Sequence, residues 1–403
     1  MSILREIPPT AGSPLKLKDL FLSSQKPGTL EEDFKNYLNA PFARVTYSGT
    51  AAFYLILEAI KAISPKKTVI IPAFVCPLVP LAIKRAGLNI EICDIQHDNF
   101  NFDYAQLEEL CSDNPDILAI VAVHLAGLPV NLDEISRITK KYGLFLIEDC
   151  AQSLGATYKD KKVGAIGDFS FFSLCRGKGI TIYEGGVLIA DNPSYIKQIE
   201  NTIKSHAKED LFSESLKVLE LFGYWIFYRP LLFWWVFRLP QIFWHWRGQP
   251  LKALIEYFSA DFPLHKVSNY RQAVGHAVFL RLDKEIKRQR QVAAYLIEGI
   301  KNIPGIKVVM EGAQTQGTYP YLTLVFEDGA KHKKALGTLT DKGLGVSQIY
   351  AFPLTGYEYL KEMLPRKDYP NAWFLSKREI TLTTSTFLKE RDLDLIIDLL
   401  KNL

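Results

Sequence analysis

Residues 144–152 read LFLIEDCAQ. Four apolar side chains run together, and Glu148 and Asp149 follow with no polar lead-in. A short continuous apolar run of this kind reads as a strand buried on both faces. Working outward, TVIIPAF (68–74), NIEICDI (89–95), DILAIVAVHLA (116–126), GDFSFFS (167–173) and GGVLIAD (185–191) read the same way. Between them PLVPLAIKRAG (77–87), FDYAQLEELCSD (102–113) and NLDEISRITKKYG (131–143) read as helices. In the last, Leu132, Ile135 and Ile138 share one helical face, and Gly87 and Gly143 stand where helices should stop. Strand–helix alternation predicts an α/β fold with a mostly parallel sheet between layers of helices.

Further along, residues 193–207 read as a helix, and about 267–302 as one long charged helical stretch ending near Pro304-Gly305. Beyond it, TYPYLTLVFED (318–328) reads as a strand, HKKALGTLTDKG (332–343) as a helix and KERDLDLIIDLLKNL (389–403) as a closing amphipathic helix. The expected organisation is a large domain over 1–303 and a small C-terminal α+β domain over 304–403.

Composition narrows the function classes. Of 403 residues 48% are hydrophobic and 23% charged, which is the balance of a folded protein. A net charge of +4 with the signs mixed along the chain gives no footprint for nucleic acid. Five scattered cysteines, with no CxxC and no Cys/His cluster, predict reduced thiols, a cytoplasmic setting and no metal site. The first twenty residues hold no apolar run long enough for a signal peptide. No GxGxxG follows a strand and no GxxxxGK(S/T) occurs, so neither nicotinamide nor phosphate-loop chemistry fits.

In open parallel sheets, ligands bind beyond the carboxyl ends of the strands. Asp149 stands there, with Gln152 three residues on. A buried carboxylate needs a cation or donors. Taken alone it reads equally as a cap, a structural ion pair or the partner of a protonated ring nitrogen. Ser48-Gly49-Thr50 opens the apolar helix AAFYLILEAIKAI; Ser48 can cap it, and the helix start favours a phosphate. Lys178 lies between two expected strands in a Gly-rich, otherwise apolar stretch, where an amine can act as a nucleophile toward a carbonyl. His124 follows a strand and reads as a satisfied strand-end histidine.

Together, Asp149 with Gln152, Ser48-Gly49-Thr50, and Lys178 six residues before Glu184-Gly185-Gly186 resemble the DegT/DnrJ/EryC1/StrS aminotransferases. The likeness extends over IEICDIQHDNFNFD (90–103), VHLAGLPVNLDEI (123–135), EDCAQSLGATYKDKKVGAIGDFSFFS (148–173) and YPNAWFLSKREITLT (369–383). It implies pyridoxal-phosphate fold type I, with a seven-stranded sheet in the large, cofactor-binding domain. It also implies a homodimer that aminates a nucleotide- or carrier-linked keto sugar, with glutamate as donor. Lys178 would carry the cofactor and shuttle the proton between the substrate Cα and the cofactor C4′. Asp149 would keep the pyridinium nitrogen protonated, and Gln152 would hydrogen-bond the phenolic oxygen. Gly49, Thr50 and Ser173 would hold the phosphate.

Some positions depart from the family. Where an aromatic ring usually covers the cofactor, this chain has Cys76; either Phe74 takes that role or the ring is less well clamped. The family's Asn-x-Arg pair has no counterpart in register, and Asn269 fits only with a shift. The usual Gln after HLxG is Leu128. Two rivals remain: a sugar dehydratase, against which Lys178 argues because histidine replaces the lysine there, and a membrane-associated cofactor binder without transaminase turnover.

Residues 221–246, LFGYWIFYRPLLFWWVFRLPQIFWHW, hold five of the six tryptophans and sit in an expected insertion over about 209–262. Arg229 and Arg238 cut this stretch into runs of about eight, where a span needs roughly 20 apolar residues. Pro230 and Pro240 interrupt it as well. The segment reads as core filler, dimer interface or peripheral membrane contact.

Overall fold

Strand β4, Ile117–Val123, is buried at all seven positions, as its unbroken apolar run requires. It lies inside a sheet with β1 (Phe42–Thr46), β2 (Thr68–Pro72), β3 (Asn89–Cys93), β5 (Phe145–Asp149), β6 (Phe169–Ser173) and β7 (Gly186–Ala190). The order is β1-β7-β6-β5-β4-β2-β3. The computed structural model describes residues 5–21, 29–249 and 256–403. Only β7 runs against the other strands. The chain returns from β6 to β7 through a short loop, and a parallel return would need a full crossover. Lys178 sits in that loop. The edge strand β1 was not anticipated, because Arg44 interrupts its apolar pattern.

The C-terminal part forms its own antiparallel sheet. β8 (Ile306–Val308), β9 (Tyr321–Phe326), β10 (Val346–Ser347) and β11 (Glu379–Thr383) stand in the order β8-β9-β11-β10. One apolar cluster runs from Phe53 and Phe171 in the large sheet layer to Ile396 and Leu400 near the chain's end, so the two sheets share an interior. The long helical stretch is two helices, Asn269–Phe279 and Leu282–Ile300. The break falls at Arg281, whose guanidinium makes a bidentate pair with buried Asp19 at 2.7 and 2.8 Å.

Residues 5–13 thread between the two sheets. Arg5 pairs bidentately with Asp392 at 2.8 and 3.0 Å, and the Ile7 N–H donates to Gly343 O at 3.1 Å. Ala11 N–H donates to Pro320 O at 2.8 Å, and Ser13 N–H to Gly179 O at 3.2 Å, beside Lys178.

The aromatic segment forms helices Leu211–Phe227, Pro230–Phe233 and Leu239–Trp246, with a π-helical turn at Trp234–Arg238. Leu221, Tyr224, Tyr228 and Phe233 are buried and hold it down. Its other face is open to water: Leu231 is 68% exposed and Trp246 79%. That exposure overturns the core-filler reading. Among the described residues no helix is long and apolar enough to cross a membrane.

Candidate active site

The carboxyl ends of β4, β5 and β6 open side by side into a cavity of about 610 Å3. Gly49, Thr50, Asp149, Gln152, Ser173 and Lys178 all line it. The Gly49–Lys61 helix points its start at this space. Ser48 caps it, its Oγ accepting from the Ala51 N–H at 3.0 Å. The first N–H groups of a helix have no intrahelical acceptor, so this end favours an anion. β7 begins pressed against the helix start: a Cβ on Gly186 would lie 2.4 Å from the Gly49 nitrogen. That close approach accounts for the glycine.

Asp149 is 6% exposed. Its Oδ1 accepts from the Ala151 N–H at 3.0 Å, and it has no ion pair among the described residues. Burial pushes its carboxyl up to about 6, against the Ala151 N–H, Lys178 and His124, which pull it down. A carboxylate so short of partners is completed by a protonated ring nitrogen. Glu148, its neighbour, is the opposite case. It accepts from the N–H groups of Gly164, Ile166 and Gly167 at 2.7–2.9 Å and contacts His124 Nε2 at 3.2 Å. His124 Nδ1 accepts from the Val130 N–H at 3.2 Å, so both ring nitrogens are engaged and Nε2 carries the proton toward Glu148.

Gln152 is oriented by residues the sequence did not reveal. Its Oε1 accepts from the Ala126 N–H at 2.9 Å and from the Tyr321 hydroxyl. The amide nitrogen is left as a donor for a ligand. Tyr321 comes from β9, in the other sheet. The Lys178 loop is held from outside as well: a Cβ on Gly12 would lie 2.6 Å from Lys178 O, so the N-terminal segment lies directly on it.

Phe74 does not line the cavity. It is fully buried and packs edge-on against Tyr350, centroids 5.4 Å apart, and it is Tyr350 and Cys76 that face the space. The ring expected from Phe74 is withheld because its strand end turns it into the core. Burial drives the Cys76 thiol up to about 12, which keeps it protonated. Asn269 begins a helix and does not reach the cavity, and Leu128 is buried away from it. Tyr257, Phe258 and Phe262 cover one side; this stretch is tied down by Glu256, which accepts from the Ala351 N–H at 3.0 Å and the Tyr357 hydroxyl at 2.5 Å. These contributors are far apart in sequence, and no local pattern marks them.

A helix start for a phosphate, an under-partnered buried carboxylate, an oriented amide donor and a lysine in one cavity fit pyridoxal phosphate. The sequence profile of the DegT/DnrJ/EryC1/StrS aminotransferase family matches residues 17–224 and 264–401. The chain belongs to this family. Within it, the UDP-4-amino-4,6-dideoxy-N-acetyl-beta-L-altrosamine transaminase of Campylobacter jejuni is 26% identical over 390 residues, 95% of this chain and 91% of that one. The GDP-perosamine synthase of Escherichia coli O157:H7 is 24% identical over 336 residues, 82% of this chain and 79% of that one. The solved structure of Helicobacter pylori PseC, an aminotransferase of pseudoaminic acid biosynthesis, has a TM-score of 0.77 at 18% identity and covers 99% of each chain. The fold is pyridoxal-phosphate fold type I. The protein is a sugar aminotransferase of the DegT/DnrJ/EryC1/StrS family, and its cofactor is pyridoxal phosphate. The family match breaks over 225–263, inside the aromatic region.

Proposed function

We propose that this DegT/DnrJ/EryC1/StrS aminotransferase moves an amino group from glutamate to the keto carbon of a sugar carried on a phosphate-bearing group. The convergence of Lys178, Asp149 and the Gly49–Thr50 helix start in one cavity supports this reading. Bound pyridoxal phosphate supplies an electron sink. The side chains do the rest. Asp149 holds a proton at the ring nitrogen, and the Gln152 amide donates to the phenolic oxygen. The Gly49 and Thr50 N–H groups and the Ser173 hydroxyl bind the phosphate. Lys178 Nζ holds the cofactor and then moves the proton at the substrate carbon.

The same reading takes the enzyme as a homodimer in a reducing, cytoplasmic setting, in contact with a membrane surface through 221–246. Five free thiols suit that setting. The division into a cofactor-binding unit over 1–303 and a small unit over 304–403 belongs to the proposal too.

The test is a half-reaction. Cofactor-loaded protein mixed with glutamate should release 2-oxoglutarate and lose the absorbance of the lysine-bound cofactor. Keto sugars should then restore it. Loss of absorbance with no member of a keto-sugar panel restoring it removes the sugar; no 2-oxoglutarate at all removes the glutamate donor.

A further inference from the structure

A second cavity, of about 420 Å3, lies beside the catalytic one. The two share Pro9, Thr10 and Arg176. Gly177, next to Lys178, also belongs to the second cavity. Its sides are rings: Tyr183, Tyr224, Phe227, Tyr228, Phe233 and Phe237. Such a surface takes up an apolar chain and offers little to read a polar base.

Three observations say what enters. The first is Arg176 at the junction. Its guanidinium lies 5.3 Å from the Tyr183 ring centroid and has no ion pair among the described residues. Glu220, on the rim, is already paired with Lys217 at 2.8 Å, and Lys217 also meets Glu184 at 2.8 Å. The buried Tyr224 hydroxyl lies beside the Gly177 backbone and the Tyr228 hydroxyl. A guanidinium beside a phenol hydroxyl suits a phosphate.

The second is Tyr183, whose φ of 74° is a conformation bulky residues avoid. Its surroundings hold it there. The Tyr183 N–H donates to Thr181 Oγ1 at 3.0 Å, and fully buried Arg271 donates to the carbonyls of Ile182 and Glu184 on either side. The strained backbone puts the Tyr183 ring in the second cavity, beside the Arg176 that both cavities share.

The third is the outer side. Phe227, Tyr228, Phe233, Val236 and Phe237 all fall in 225–263, the stretch the family profile does not match. The same helices expose Leu231, Leu232, Trp235, Ile242, Phe243 and Trp246. Residues 221–255 contain no Asp or Glu, but include Arg229, Arg238 and Arg247. Arg238 reaches exposed Asp341 at 3.9 Å and Arg247 lies over the Phe243 ring; exposed aromatic rings with arginines suit the headgroup level of an anionic bilayer. A water-soluble carrier would need neither that face nor an apolar cavity behind it.

We propose that this cavity binds the isoprenoid chain of an isoprenoid-phosphate-linked keto sugar, with Arg176 and the Tyr224 hydroxyl at the phosphate. The inference rests on the aminotransferase reading and names the carrier of its substrate. The sugar then reaches past Thr10 toward Lys178 while the chain stays among the rings.

The test titrates cofactor-loaded full-length protein with farnesyl diphosphate, uridine diphosphate and inorganic diphosphate, read by tryptophan fluorescence. Farnesyl diphosphate should bind at least about tenfold more tightly than uridine diphosphate. A Cβ on Gly223 meets nothing within 4 Å, so Gly223→Phe should put its ring into the cavity. That variant should weaken farnesyl diphosphate at least about tenfold and leave uridine diphosphate unchanged. Val236→Trp, from the opposite side, should do the same and covers a folding failure of the first variant. Arg176→Gln should weaken both organic diphosphates alike. Tighter binding of uridine diphosphate, or farnesyl diphosphate binding indifferent to both filling variants, overturns the proposal. So does a filling variant that turns dimer into monomer without touching farnesyl diphosphate binding, which would make the cavity an interface between copies. A wild-type protein that reacts with glutamate yet ignores farnesyl diphosphate loses this inference and keeps its chemistry; failure with glutamate removes the aminotransferase reading itself.

Discussion

Around Lys178, polar groups are arranged one by one: Glu148 has three N–H donors, His124 spends both nitrogens, and Gln152 has its oxygen fixed from two sides. Around Phe233 the neighbouring cavity is built from rings and shape, with Arg176 as the charge where the two meet. The first kind of site fails when a single atom is lost. The second tolerates single losses and fails when it is filled. The family profile covers Gly49, Asp149, Gln152, Ser173 and Lys178 of the first, and breaks over the Tyr257–Phe262 side of the first and the outer side of the second. The residues proposed for the chemistry fall in the matched part, and those proposed for the carrier chain fall largely outside it.

The sharpest way to break that contrast is Lys178→Ala. Transamination should fall by at least about 10⁴-fold, because both covalent attachment and proton transfer are lost. After borohydride reduction, mass spectrometry of the wild type should place the cofactor on Lys178; an adduct on any other lysine contradicts the assignment. Next comes Asp149→Asn, which should still bind cofactor while the rate drops on the order of 10³-fold. Near-normal turnover would show that the buried carboxylate does not govern the ring.

Asp149 also leaves a signature without cofactor. Its carboxyl is raised to about 6, chiefly by burial. Between the ordinary carboxylate range and that value, the folded chain keeps a proton that the unfolded chain has shed. The stability this gives is present at low pH and is lost as pH rises through 6, by roughly 3 kcal/mol. Denaturant titrations of cofactor-free protein at pH 4 and pH 8 should show a loss larger by about that amount in the wild type than in Asp149→Asn, because Glu6 and Glu379, also raised by burial, contribute equally to both. Equal pH slopes in the two proteins would mean that the carboxylate is better solvated than its surroundings suggest.

Tyr321→Phe is a finer probe. It removes one of the two donors that fix Gln152 and should lower the rate about tenfold, a loss of one hydrogen bond's worth of orientation. An unchanged rate would mean that Ala126 alone suffices. The smallest effect is expected on the aromatic side. Trp234→Ala with Trp235→Ala should cost about 1 kcal/mol or less in stability, yet weaken flotation with anionic liposomes. Flotation that does not respond, together with a shift to monomer, would assign the face to a second copy.

The sequence made the catalytic side legible where a residue's role follows from its place on one element. Asp149 ends an apolar strand, Gly49 and Thr50 open a capped helix, and Lys178 interrupts an apolar, Gly-rich stretch. All three can be read within a window of ten residues. Tyr321, Tyr350 and the segment after Glu256 cannot, because they reach the cavity from other elements and their neighbours in sequence carry no polar signal. Phe74 misled for a related reason: at the end of a buried strand, composition does not say which side a ring takes. β1 was hidden by Arg44, which an edge strand accommodates. The break at Arg281 carried no local signal; the residue pairs with Asp19, 262 positions away. The aromatic helices were legible as an anomaly, but their open face depends on what packs beneath them.

The segment from Arg5 to Ser13 bears on how the enzyme comes off the ribosome. Its Arg5 end is tied to Asp392, 387 positions later, while its Gly12 end lies on the lysine loop. Residues 5–13 therefore wait for Asp392, made 387 positions later, before they can settle. Until then the loop lacks its outer cover, although the sheet beneath it has long been complete. A nascent chain released before Asp392 would carry a finished sheet and an unfinished active site, so cofactor capture should discriminate chains that reach Asp392 from shorter ones.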